Sequence, residues 1–417
     1  MKSPRHIYGR LGGAHPSRIS ALSPAAWYQP GVGLTGSLTV SNWADQSGNG
    51  RDLAQGTAGN QPYNLAFSGS PYAWLPAVAS NTFTTPNQSV TGSFVLTFDI
   101  ALNDYTPAGD VTLLSKTSGN DGFSVLWLTT DKLRLVIGDG ASLTNCDASV
   151  ASGLTDASRH TITITWADGV GASLAIDGAA WGSAIVAAKT LTNAAVAFTL
   201  GSSTSIGKVY GVTLGSLVNF DPSRFIETST NGTTATMSTG EVWTLNSSGA
   251  YPATIVKSSQ ILFGGVDEYL KTASFSINPP LSIYIVCKQV TWTSNDVIYS
   301  GTNIYMHQKV GGASPQISAS AGTSSSVNSN LAVGSYGIVT TVFNGAGSVL
   351  QVNNTTAVTG DFGSGGISGG FWLGDYYSLG IPSNIIVKEV IIFSAAHTAA
   401  QRAVVQAYLA ARHGIAL

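Results

Sequence analysis

The residues best placed to do chemistry lie in one turn, Asn42-Trp43-Ala44-Asp45-Gln46-Ser47-Gly48-Asn49-Gly50-Arg51-Asp52-Leu53. Asp45, Asn49 and Asp52 offer hard oxygen donors within a single reversal of the chain, which is the donor chemistry that Ca²⁺ requires. The same short side chains can instead accept hydrogen bonds from the turn's own amides. A second candidate is Gly374-Asp375-Tyr376-Tyr377, where two aromatic faces and a carboxylate fall in loop-like sequence. Rings with an apolar face and a polar tip suit a sugar, and Asp375 supplies an acceptor beside Tyr376 and Tyr377. Trp74, Trp127, Trp181 and Trp292 are further aromatic candidates, but strand alternation places them inside as readily as outside.

The patterns of the common catalytic sites are missing. Glycoside hydrolysis needs two carboxylates about 5–9.5 Å apart. The chain has Glu227, Glu241, Glu268 and Glu389 as its glutamates, widely separated, and no Asp-x-Asp or Glu-x-Asp pair. Met306-His307-Gln308-Lys309 is a poor match to the Gln-x-His strand of a polysaccharide lyase, and His307 reads as an ordinary strand histidine. No Gly-x-Ser-x-Gly elbow, phosphate loop, dinucleotide fingerprint or Cys–His metal pattern occurs. The expectation is a protein that is not an enzyme and carries no cofactor, calcium excepted.

Composition sets the class. Charged residues make up 10% of the 417-residue chain, against roughly 25% in ordinary globular proteins. Ser, Thr, Asn and Gly must therefore carry the surface, and the scarcity of Glu argues against exposed helices. The formal net charge of −2 gives no field that would draw the chain to nucleic acid or a membrane. No apolar run is long enough to cross a bilayer, and the start lacks the apolar core of a secretory signal, so production inside the cell is expected. Cys146 and Cys287 lack any metal spacing and are expected to be buried free thiols.

Two elements must position the candidates: a set of short strands, and an arm. Lys2, Arg5, Arg10 and Arg18 all precede the first acid, Asp45. Residues 1–20 therefore read as a basic arm that orders only on a partner, with Arg5, Tyr8, Arg10 and Arg18 as its contacts and Ile7, Leu11 and Ile19 as apolar anchors. From Ala21 onward, β-branched and aromatic runs alternate with Gly, Asn and Asp turns, as in Phe94–Ile100, His160–Trp166 and Ala172–Gly178. The order returns at Ser282–Cys287, Gly337–Phe343 and Ser348–Asn354, and Trp243 opens a worn copy of the Trp43 turn without its aspartates. This predicts two tandem antiparallel β-sandwiches, at 21–217 and 218–417, with Val218-Asn219-Phe220-Asp221-Pro222 restarting the pattern of Trp27-Tyr28-Gln29-Pro30. The one helix expected covers about 395–413, with Val404, Val405, Tyr408 and Leu409 as its apolar stripe and Arg412 and His413 at its C-terminus.

The aromatic-Tyr-x-Pro opening, the Trp43–Asp52 turn and the exit helix ending at Gly414 together resemble the laminin-G-like, concanavalin-A-like jelly rolls of tailed-bacteriophage virion proteins. The resemblance implies an all-β fold of two jelly-roll sandwiches and a structural, decoration or fibre-type role on the particle. It implies other virion proteins as partners, through the arm, with copies able to associate on the particle. The alternative it carries is a lectin-like module that attaches the particle to host glycans; a polysaccharide-degrading enzyme is the weakest of the three readings. It also implies that a calcium site could sit near the Trp43 turn.

Overall fold

A computed structural model describes residues 16–76, 81–130, 132–149, 154–201, 206–322 and 325–417. The chain is all-β apart from short helical segments and one C-terminal helix, and it forms two compact units, each a sandwich of two antiparallel sheets. The fold class is as expected from the sequence. The domain boundaries are not. One unit comprises Met1–Ala66 with Ser259–Leu417, and the other Phe67–Ser258, so no boundary falls at Leu217.

The strand order explains the difference. In the first unit, one sheet runs Val358–Gly360, Ser348–Val352, Tyr336–Phe343, Leu281–Gln289, Asn384–Phe393, Gln260–Gly264, Tyr63–Leu65, with Ala26–Tyr28 also paired to Asn384–Phe393. In the second unit the corresponding sheet runs Ala179–Val186, Gly171–Ile176, His160–Ala167, Phe94–Leu102, Gly207–Leu214, Tyr72–Leu75, Thr254–Val256, with Val218–Phe220 also paired to Gly207–Leu214. The repeat is therefore topologically complete, but its opening segments are exchanged. Residues 26–65 open the sandwich built by the later half of the chain, and residues 218–256 close the one built by the earlier half.

Each opening segment is fixed in the same way. The Trp43 indole donates to the Gln29 carbonyl at 2.9 Å and packs 5.6 Å from Tyr28. The Trp243 indole donates to the Asn219 carbonyl at 3.0 Å and packs 5.0 Å from Phe220. Both tryptophans are fully buried. The second copy's loss of the aspartates is compensated from the other side of its tryptophan. Asp45 accepts from the Trp27 amide, and Glu241 accepts from the Asn219 amide.

The cores lie between the paired sheets. Phe94, Leu96, Phe98 and Ile100 alternate inward with Ile162, Ile164 and Trp166 to meet Leu113, Phe123, Val125 and Trp127. Trp74 is likewise buried, so Trp74 and Trp127 are not available as sugar platforms, while Trp181 and Trp292 are half-buried. Both cysteines are free and buried, Cys146 in one core and Cys287 in the other.

Leu281–Gln289 and Asn384–Phe393 are buried on both faces. Their second face is covered by the C-terminal helix, Ala399–His413, whose Val405, Tyr408 and Leu409 pack on Tyr284, Val286, Ile391 and Phe393. This is why apolar residues occupy both faces of these strands instead of alternating with polar ones. The helix starts at Ala399, not Ala395, because Thr398 and Gln401 form a reciprocal capping box, and it ends at Gly414 with φ +65. Val404 is 39% exposed and does not belong to the stripe; Gln406 is buried in its place.

Of the arm, Arg5, Tyr8 and Arg10 lie outside the described residues, as do Ile7 and Leu11. Pro16–Ser20 forms a short helix, and Ile19 is fully buried among Trp27, Ile391, Tyr408 and Leu409. Ile19 is thus an anchor to the chain's own fold rather than to a partner, because its apolar surface finds its cover at home.

Beneath the helix a bulge at Val286/Cys287 turns two successive side chains, Lys388 and Glu389, toward the covered face. Glu389 is fully buried and accepts from the Trp27 indole at 2.7 Å and the Tyr408 hydroxyl at 3.2 Å, with His413 at 2.7 Å and Arg412 at 3.4 Å. Removing the carboxylate strands four donors in an apolar setting, so Glu389→Ala is expected to cost about 3–5 kcal/mol by chemical denaturation. The exchange makes a second prediction. An excised Phe67–Ser258 fragment melts cooperatively, whereas a fragment ending at Leu217 lacks the returning strands and does not; a cooperative melt of the shorter piece would show that residues 218–256 are dispensable to that unit.

Candidate functional site

The Trp43 turn is built around Asp45. Its Oδ1 accepts from the amides of Trp27 and Ser47, both at 2.9 Å, and its Oδ2 from the Ser47 hydroxyl at 2.8 Å and the Arg51 amide at 3.2 Å. Asp52 Oδ1 accepts from the Asp45 amide at 2.9 Å. Asn49 turns its Nδ2 inward, donating to the carbonyls of Pro24 and Ala25 and to Ser47 Oγ. Gly48 and Gly50 adopt φ of +87 and +66.

This donor set does not fit calcium. Both Asp45 oxygens are already committed to amide and hydroxyl protons, and Asn49 presents donors inward. Among the described residues no three His, Cys, Asp or Glu side chains converge as a metal cluster. The three residues hold the turn against the first strand.

The second candidate takes a different form. Asp375 is 2% exposed and organises a loop, accepting from the amides of Tyr376 at 2.7 Å, Ile381 at 3.0 Å and Gly380 at 3.2 Å. Its buried side chain is therefore a scaffold for the loop rather than a sugar contact. Gly374 enters the loop at φ +91, where an added Cβ would lie 2.3 Å from the Phe263 ring. Leu379 N–H closes the loop on the Tyr376 carbonyl at 2.8 Å.

The loop presents Tyr376 half-buried and Tyr377 36% exposed, with ring centroids 4.4 Å apart. Tyr305 joins them, 6.0 Å from Tyr376 and nearly perpendicular to it. The sequence reading missed Tyr305; its signal was alternation, since Met306 points into the core and Tyr305 and His307 point out.

Tyr305 belongs to a row that crosses the second sheet of the first unit, which runs Leu34–Thr35, Asn42–Trp43, Leu53–Ala54, Leu270–Thr272, Trp372–Leu373, Val297–Ser300, Tyr305–Gln308, Ile317–Ser320, Ser325–Asn328. Strand register aligns Lys271, Trp372, Ser300, Tyr305 and Ser320. Trp372 stacks at a tilt on Tyr269, 5.2 Å away, and the Lys271 ammonium lies 4.8 Å from the Trp372 ring. The Ser300 hydroxyl donates to the Asp375 carbonyl at 3.2 Å, tying the tyrosine loop to the row. The result is an outward sheet face bearing aromatic rings and one exposed cation, with Ser300 and Ser320 buried within the row.

Two titratable groups sit at the tyrosine end. Burial, then the negative charge of Asp375, pushes Asp296 up to about 6, against a hydrogen bond from Thr293 that lowers it. Burial and the Lys309 charge push His307 down to about 4, so it is neutral near pH 7. Its Nε2 pairs with the Ser318 hydroxyl at 2.7 Å, and its buried Nδ1 has no partner.

No family model matches the chain, and no curated protein matches it. Among solved structures, the mouse laminin α1 chain domains LG4-5 match over 80% of this chain and 92% of that one, at 14% identity and a TM-score of 0.32. The receptor-binding domain of botulinum neurotoxin D matches over 91% and 100%, at 8% identity and a TM-score of 0.28. A heptameric SAP-like pentraxin from Limulus polyphemus matches over 35% and 76%, at 9% identity and a TM-score of 0.26. These likenesses are too distant to assign a ligand.

Two expectations follow from the geometry. Asp45→Ala destabilises by about 2–4 kcal/mol through its stranded amides, and the loss measured by thermal melting is the same with calcium as with chelator. Asp296 has a folded-state value raised above the unfolded one, so its proton is held more tightly in the fold between about pH 4 and pH 6. Its contribution to stability is complete below about pH 4 and is lost as pH rises through about 6. Asp296→Asn is therefore expected to gain stability relative to the parent between pH 4 and pH 7.

Proposed function

We propose that this protein is a non-catalytic, carbohydrate-binding β-sandwich protein whose glycan-binding face is the outward face of the first unit's second sheet. The observation that carries this reading is the convergence of Tyr305, Tyr376 and Tyr377 on a loop held rigid by the buried Asp375. Rings fixed in advance lose little freedom when a sugar stacks on them, and the exposed Lys271 supplies a polar partner alongside. The length of the row suits an oligosaccharide lying across several strands.

The resemblance to virion jelly rolls adds a setting: a structural, decoration or fibre-type component of a phage particle, made in the host cytoplasm and attaching the particle to host or environmental glycans. The basic composition of residues 1–20 supports attachment of the arm to other virion proteins. With Ile19 packed at home, the contacts left to that role are Arg5, Tyr8, Arg10 and Arg18.

Glycan-array screening followed by calorimetry of the full chain tests the reading. Tyr377→Ala, at an exposed position, is expected to weaken neutral-oligosaccharide binding about tenfold without lowering the melting temperature. Absence of any glycan binding by the parent protein refutes the reading, and release of reducing sugar from a bound polysaccharide would replace it with an enzymatic one. Deletion of residues 1–15 tests the attachment role separately, by incorporation into particles.

A further inference from the structure

A cavity of about 660 Å³ opens beside the Trp43 turn, and it shares no residue with the tyrosine face. Its volume is within the range of about 300–1,000 Å³ usual for small-molecule sites, but those are mostly apolar. This one is walled by Gln46, Asn49, Arg51, Ser276, Asn278 and Ser394. Hydroxyls and carboxamides at that density match a ligand that is itself rich in hydroxyls.

Arg51 gives the cavity its selectivity. Its Nη1 donates to the Ala25 carbonyl at 2.9 Å, and its guanidinium carbon lies 4.4 Å from the centre of the Phe275 ring. These two contacts fix the plane of the group. Nε and Nη2 have no hydrogen-bond partner among the described residues, and no carboxylate there forms an ion pair with Arg51. The nearby Asp45 cannot answer it, because Asp45's oxygens already serve four other donors. A planar cation held in place, with donors left open, is suited to a carboxylate.

We propose that this cavity binds a carboxylate-bearing sugar residue, its carboxylate paired with the open edge of Arg51 and its hydroxyls with the surrounding amides and serines. The proposal shares with the preceding section the premise that the protein binds glycans, but it uses a separate surface. It predicts a preference for acidic over neutral oligosaccharides that depends on Arg51.

The test is calorimetry on the full chain with an oligoglucuronate and with the same oligosaccharide after reduction of its carboxyl groups. The parent protein is expected to bind the acidic form at least about tenfold more tightly, the scale of a hydrogen bond to a charged group. Arg51→Gln abolishes the preference, and Arg51→Lys, which keeps the charge and loses the fork, retains part of it. Ser394→Trp, at an exposed position on the cavity, fills it without replacing any residue of the turn and also abolishes the preference with the melting temperature unchanged. Tyr377→Ala lowers binding of the neutral form and leaves the acidic preference in place, which separates failure of the cavity from failure of the tyrosine face. Equal affinity for the two oligosaccharides, or a preference that survives both Arg51→Gln and Ser394→Trp, overturns the proposal.

Discussion

The hydrogen bond from the Trp27 indole to Glu389 joins residues 362 positions apart, at 2.7 Å and out of contact with water. Much of the first unit depends on it. Trp27 lies on the opening strand, Glu389 on the bulged central strand, and Tyr408, Arg412 and His413 on the terminal helix. A buried carboxylate is tolerated only when its charge is answered, and here the answer comes from an indole, a phenol, and an imidazole and a guanidinium at a helix C-terminus. The same geometry seats the helix over the sheet, encloses Ile19, and holds the Trp43 turn against the first strand through Asp45.

Much of this was legible in the sequence, for identifiable reasons. Alternation in Phe94–Leu102 and His160–Ala167 reported one wet face and one dry face, and the repeated order of strands reported two sandwiches. The exchange of opening segments was not legible. Trp27-Tyr28 and Asn219-Phe220 each carry the requirements of a strand that needs an edge, but nothing in either segment says which of two similar sheets will supply it. The start of the helix was misjudged because alanine favours helix at Ala395 and Ala396, while the capping geometry of Thr398 decides the matter.

The candidate sites divide in the same way. The Tyr376-Tyr377 loop could be found from composition, since two adjacent tyrosines in a Gly-Asp turn have little reason to be buried. Asp375 reads as a ligand contact because it is an acidic residue beside exposed aromatics, whereas the folded loop commits its oxygens to three backbone amides. Tyr305 and Trp372 come to the face through register across strands that are far apart in the chain. Arg51 was hidden by its neighbours. Asp45 and Asp52 draw attention to cation binding, whereas the side chain left with open donors is the cation itself.

The exchanged opening segments also set an order of events during synthesis. The sandwich of Phe67–Ser258 holds all its strands once residue 258 has emerged, but Tyr63–Leu65 must wait for Gln260–Gly264, Leu53–Ala54 for Leu270–Thr272, and Ala26–Tyr28 for Asn384–Phe393. For Ala26–Tyr28, at about 5–20 residues per second, that wait is roughly 20–70 s. Until Gln260–Gly264 emerges, the sheets on offer belong to the nearer sandwich, whose own closing segment is of the same design. The nascent chain therefore passes through a competition between two similar strands for one edge. The arrival of residues 218–256, synthesised next to the sandwich that they complete, resolves it in favour of the local segment and keeps the first one free for its distant partner.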